Sequence, residues 1–242
     1  MKLTNFYFFL VVLFLISCSS ETVEEQIQNA EAAFVTSPNP ETGQPLMDLL
    51  LANVPTDTAT AMAYLSQASD IYQKIADQMT TGAKKEYLLK MKPHATMMEA
   101  GMTPLSKTMY NEEQHQLDGE KAGAYISTCE VFAKIQPDNP QSPALLFKAA
   151  ETARAMRNFG KAIELYDNIY DNYQDYEKHA QTLFLKAFTL DNDLKRHDEA
   201  KGLYELFLKK YPENDFADDT EFLLANLGKS DEEIIQKFEE EE

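Results

Sequence analysis

The chain has 242 residues, with 22 Lys and Arg against 40 Asp and Glu, a formal net charge of -18. Its length suits one good-sized domain. With no basic stripe, the composition argues against nucleic acid as a partner. An acidic surface favours basic partners and repels anionic headgroups; it also serves simply to keep a protein in solution.

Residues 1–17 read as an export signal. Lys2 supplies the charge, Phe6 to Ile16 is an uninterrupted apolar run, and Ser17-Cys18 closes it. Such a run is too short to span a bilayer as a stable helix. Leu15-Ile16-Ser17-Cys18 resembles the bacterial lipobox, in which the Cys is acylated and becomes the new N-terminus. The competing reading is an ordinary secretory signal with an incidental Cys. Acylation of Cys18 with two or more chains would hold the protein on a membrane, where a single chain does not.

Residues 18–57 read as a lipidated tether with short helices. Val23 to Phe34 suits one helix, and Ser37-Pro38-Asn39-Pro40 and Gly43-Gln44-Pro45 are breaks. Residues 58–117 form an irregular helical region. Its first part, 58–80, is a clear helix with Met62, Leu65, Ala68, Ile71, Tyr72 and Ile75 on one face, ended by Thr80-Thr81-Gly82. The rest, 83–117, has no regular pattern but holds Met91, Met97, Met98, Met102 and Met109 together with His94 and His115. Thioether and imidazole ligands suit Cu(I). Methionine also fills irregular gaps in a core or forms a pliable contact surface for a partner.

Residues 118–242 carry repeats. Slid by 38 positions, the segment from Leu145 falls on Leu183, with identities Leu145/Leu183, Lys148/Lys186, Ala149/Ala187, Ala162/Ala200, Leu165/Leu203, Tyr166/Tyr204 and Tyr173/Tyr211. A fixed period of this length means stacked units, each too small to bury its apolar face alone. Each copy has two apolar runs at helical spacing around a polar break, so each predicts a helical hairpin. Gly160 is the expected left-handed residue of the first break. Tyr211-Pro212 stops the second copy. Tyr125, Cys129 and Phe132 before Pro137 repeat the spacing of the second helix. Ala68, Tyr72 and Ile75 do so again, 57 residues before Phe132, by chance or across an insert. Asp218 to Leu227 predicts one more first helix, stopped by Gly228. Ser230 with Glu233 is a capping box for a short final helix, whose Ile234, Ile235 and Phe238 are expected to fold back on the last hairpin.

An Ala, an aromatic four residues later, a bulky apolar residue three later and a Pro after the helix resemble the second helix of a tetratricopeptide repeat. The small pair Ala149-Ala150 sits where that repeat keeps its small residues. The 38-residue unit is similar to those of envelope lipoproteins of the BamD and CpoB type. Leu227 to Phe238, LGKSDEEIIQKF, resembles the ending of repeat lipoproteins of Bacteroidota. The resemblance implies an all-α fold, an α-α superhelix of tetratricopeptide-like hairpins with a C-terminal capping helix. It also implies a place in the cell envelope, at the outer membrane and more on its periplasmic face than at the surface. The implied partner is another envelope protein or peptide, in outer-membrane assembly or envelope maintenance.

Little points to catalysis. None of the eight Gly forms a dinucleotide or phosphate loop, and no HExxH occurs. His179 and His197 fall in turns and are expected to be solvated. Carboxylates are everywhere in so acidic a chain, so pairs of them single out no hydrolase. No cofactor, catalytic residue or small-molecule substrate is implied. Cys129 is either a reactive thiol or a small buried core residue.

In a stacked array the first helix of each hairpin lines the concave face. That register puts Phe147, Glu151, Arg154 and Ala155 of the first copy, and Leu185, Thr189, Asn192 and Asp193 of the second, in a groove suited to an extended peptide or protein loop. The expected function is a non-enzymatic, membrane-anchored protein-binding scaffold; the alternative is a copper-handling lipoprotein using the Met/His segment.

Overall fold

The computed structural model describes residues 21–111, 116–230, 232–233 and 235–236. The expected signal, Cys18, His115, Ile234 and Phe238 lie outside the described residues.

Most helices begin where a short polar side chain can accept from a free backbone N–H. Thr22 caps α1 (Val23–Thr36) in a capping box with Glu25, and Asn39 caps α2 (Pro40–Ala52). Asp57 caps α3 (Thr58–Ile75), Thr80 caps α4 (Thr81–Met91) and Asp118, after α5 (Ala95–Thr108), caps α6 (Gly119–Ile135). Asn158 caps α8 (Phe159–Asn172), which follows α7 (Gln141–Ala155). Next come α9 (His179–Phe188), α10 (His197–Lys210) and α11 (Ala217–Ala225). Beyond Gly228, at φ +76°, Ser230 and Glu233 make the expected capping box, and residues 232, 233, 235 and 236 are helical. Ile235 is largely exposed rather than folded back.

Adjacent helices pack in order as hairpins, α2 on α3, α5 on α6, α7 on α8 and α9 on α10, with each hairpin resting on the next. The fold is an all-α array of helical hairpins. Three joints in it are alike. Gln136, Tyr173 and Tyr211 end α6, α8 and α10 with φ/ψ of -133°/56°, -130°/61° and -133°/52°. After each cap, two successive three-residue hydrogen bonds turn the chain into the next helix: Asn139 N to Gln136 O and Ser142 N to Asn139 O, then the same from Tyr173 through Tyr176 to His179, and from Tyr211 through Asn214 to Ala217.

Residues 21–57 are not a tether. Ile27, Phe34, Leu46, Met47 and Leu50 are buried in the same apolar cluster as α3. Gly43 and Pro45 do not break the chain, because α2 runs through both. Gly43 is a point of close approach between α2 and α3; a Cβ there would lie 2.9 Å from Ile75 Cδ1.

Residues 83–111 and 116–117 are likewise more regular than expected. Thr80 starts α4 instead of merely ending α3, a 3-10 turn (Lys92–His94) leads into α5, and a two-residue antiparallel pair joins Tyr110 to Leu117 and Asn111 to Gln116 before α6. With α3 and α6 read as second helices, the long step between their motifs is explained. It exceeds the 38-residue period by 19, the length of segment 76–94, which holds α4 and two 3-10 turns.

Buried residues form two clusters. One runs from Ile27 to Ile169; the other holds Leu183, Phe184, Ala187, Leu190, Ala200, Tyr204 and Phe207. Among the described residues, no helix is long and apolar enough to cross a membrane.

Candidate functional site

The two C-terminal hairpins differ at one point. In the first copy α7 runs as a regular helix to Ala155, whereas in the second the matching stretch, Thr189–Asp193, is a π turn. Leu194 N bonds to Thr189 O, five residues back, at 3.0 Å. Such turns are uncommon and often sit at functional sites. Here the turn forms one wall of an open cleft of about 590 Å³. The other walls come from the end of α7 and from Tyr166 and Phe159 of α8.

Five of the seven principal residues expected in the groove line this cleft: Glu151, Arg154, Leu185, Asn192 and Asp193. Ala155 lines it too. Arg154 Nε donates to Asp193 Oδ2 at 2.6 Å, and the guanidinium lies 4.9 Å from the centre of the Phe188 ring. Asn192 Nδ2 donates to Asp193 Oδ1 at 3.2 Å. Asp193 thus holds Arg154 in place from across the cleft. A guanidinium has five donors in a planar fork, so others remain for a ligand. Tyr166 is buried at the base, and burial first, then the Glu151 charge, pushes its hydroxyl far above the ordinary range, so it stays protonated.

Two expected groove residues are elsewhere. Phe147 is only 3% exposed and belongs to the core, edge-on to Tyr166 and Tyr176 at 6.2 and 6.3 Å, with Lys178 Nζ 4.7 Å from its ring centre. Thr189 is fully buried, and its hydroxyl donates to Leu185 O at 2.7 Å where the π turn begins. Four lining residues were missed: Phe159 and Tyr166 of α8, and Arg157 and Lys195. Arg157 and Lys195 belong to the turns inside each hairpin, yet both reach the cleft. Their pairing at the 38-residue offset was the available signal. Three cations, Arg154, Arg157 and Lys195, thus face two carboxylates, Glu151 and Asp193, in the cleft.

The remaining candidates resolve as follows. The left-handed residues of the hairpin turns are Arg157 and Lys195, while Gly160 lies inside α8. His179 is not simply solvated. It stacks on Tyr170 at 4.5 Å, its Nε2 lies 2.9 Å from Tyr170 O, and its Nδ1 lies 3.1 Å from the Tyr211 hydroxyl. A carbonyl only accepts, so Nε2 carries a proton and donates to Tyr170 O. His197 Nδ1 lies 2.8 Å from Asp191. Met91, Met98, Met102 and Met109 are buried in the larger core. Cys129 is fully buried beside Met102, Sγ to Sδ 3.9 Å, and burial pushes its thiol up to about 12. A thiol held protonated in this way is a packing residue and not a nucleophile.

No family model, curated protein or solved structure matches this chain.

Proposed function

We propose that this chain is a non-enzymatic protein-binding scaffold, held to a membrane of the cell envelope by lipid on Cys18, and that it grips a segment of another envelope protein in the cleft between α7 and α9. The carrying observation is the Arg154–Asp193 pair, which spans two successive hairpins and fixes a guanidinium in an open cleft. A side chain already ordered loses little further entropy on binding. Glu151 and Asn192 are exposed beside it and offer an acceptor and an amide to an extended backbone. Residues around the cleft supply hydrogen-bond groups of both kinds, which suits a peptide better than an apolar ligand. The tetratricopeptide-like sequence pattern supports the same reading, and with it a role in outer-membrane assembly or envelope maintenance.

The test is a photo-crosslinking residue at Asn192 in intact cells, with exposed Glu205 on α10 as the control position. One envelope protein captured from Asn192, absent from Glu205 and lost when Arg154→Ala is added, supports the scaffold. The same adducts from both positions refute it. Replacing Cys18 with Ala and following the chain into the soluble fraction checks the anchor: a variant that stays with the membrane overturns lipidation as the tether.

A further inference from the structure

A second cleft, of about 820 Å³, opens between α3, α4, α6 and the start of α8. It is the opposite of what the overall charge suggests. Five lysines line it, at 74, 84, 85, 134 and 161, with four carboxylates, at 70, 77, 130 and 164. Internal pairing uses up most of the negative charge. Asp70 is held by Lys74 at 2.6 Å and accepts from the Ser127 hydroxyl at 3.2 Å. Glu130 and Glu164 both bind Lys161, at 3.2 and 2.7 Å. Among the described residues that leaves Lys84, Lys85 and Lys134 without a carboxylate in ion-pair range, against exposed Asp77 alone.

The cleft is also short of acceptors. Lys134 Nζ donates to Gln73 Oε1 at 3.2 Å, which fixes the orientation of the Gln73 amide. Its Nε2 is then buried with no partner, and a flipped amide would set two donors against each other. Between the lysines lie the half-buried side chains of Leu88 and Met156, above the buried Ile126 and the buried Tyr72 ring, over which Lys134 lies at 5.6 Å. Bare phosphate would use the ammonium groups and leave this apolar surface wet. A peptide with carboxylates flanking apolar side chains would use both.

We propose that this cleft is a second binding site, and that it takes an acidic peptide segment whose carboxylates meet Lys84, Lys85 and Lys134 while its apolar side chains cover Leu88 and Met156. On a molecule of net charge -18, the site holds its ligand by local charge against an unfavourable distant field, so its affinity falls with salt less steeply than the count of contacts alone suggests.

The test is calorimetric titration of the full chain in detergent with a synthetic peptide alternating Glu with Leu and Phe. The same peptide with Gln for Glu, and inorganic phosphate, serve as comparison probes. Saturable binding of the Glu peptide, weakened at least about tenfold by Lys84→Glu with Lys85→Glu and unchanged by Arg154→Ala, is the expected result. Lys85 is exposed and Lys84 half-buried on α4, and neither has an ion partner among the described residues, so circular dichroism of the double variant should match the parent. Equal affinity for the Gln peptide, equal affinity of the double variant, phosphate binding without peptide binding, or no binding at all would each overturn the proposal.

Discussion

Arg157 and Lys195, 38 residues apart, hold the same left-handed backbone, with φ of 60° and 55°, at the turn inside each of the two C-terminal hairpins. A side chain in that region costs roughly 1–2 kcal/mol. Replacing either with Gly should therefore raise stability by about 0.5–1 kcal/mol, less than the strain because Gly loses more chain entropy on folding. Thermal unfolding reads the gain. Val at either position should lower the midpoint, and a Gly variant no more stable than the parent would mean the turn is held by its side chain.

Phe207 is fully buried in the smaller core, against Phe184 and Tyr211. Phe207→Ala should cost about 3–5 kcal/mol. Because that cluster is separate from the one spanning Ile27 to Ile169, hydrogen exchange should rise over α9–α11 well before α1–α6. A uniform rise would show that the two clusters unfold as one.

Gly101 of α5 lies against Met62 of α3, so closely that an added Cβ would overlap Met62 Cγ and Sδ. Gly101→Ala should destabilise by about 1–3 kcal/mol through overpacking. Adding Met62→Ala should recover part of that loss, a coupling that a double-mutant cycle in urea would measure. Strict additivity would mean the helices separate instead.

Cys129 has a folded-state thiol pushed up to about 12 by burial. A group raised in this way contributes stability that is fully present below its unfolded value, ordinarily about 8.5, and is lost as pH rises through the folded one. Stability should thus fall in strong alkali, and a thiol reagent at pH 8 should label Cys129 only as fast as the protein opens. Measured on a Cys18→Ser chain, labelling of the native protein at the rate of a free thiol would contradict the burial.

The hairpins α7–α8 and α9–α10 were legible because each repeats the same small and aromatic residues at the same spacing. The N-terminal helices were less so, for particular reasons. Gly43 and Pro45 read as breakers, yet Gly43 is there to let α2 approach Ile75 and Ile71. Helix α4 buries only Tyr87 and Met91; it is tied down by Tyr87 Oη to Gln44 O at 3.1 Å and Lys90 to Asp48 at 2.8 Å, contacts that periodicity does not report. In the cleft, helical register found Arg154 and Asp193 but put Thr189 on the surface. Thr189 is the counterpart of exposed Glu151 at the 38-residue offset, and the π turn that begins there interrupts the equivalence of the two copies, which resumes at Arg157 and Lys195. No spacing rule in the sequence marks that turn.

The three matching joints at Gln136, Tyr173 and Tyr211 make the array extensible. The backbone hydrogen bonds that close each joint lie within six residues of its cap. Residues 174–211 begin after one such joint and end on the next. A tandem copy of that stretch would meet an identical connection at both ends and add one hairpin without disturbing those already stacked. Length in this protein is a modular property: the chain can be made longer in units of 38 residues, one hairpin at a time.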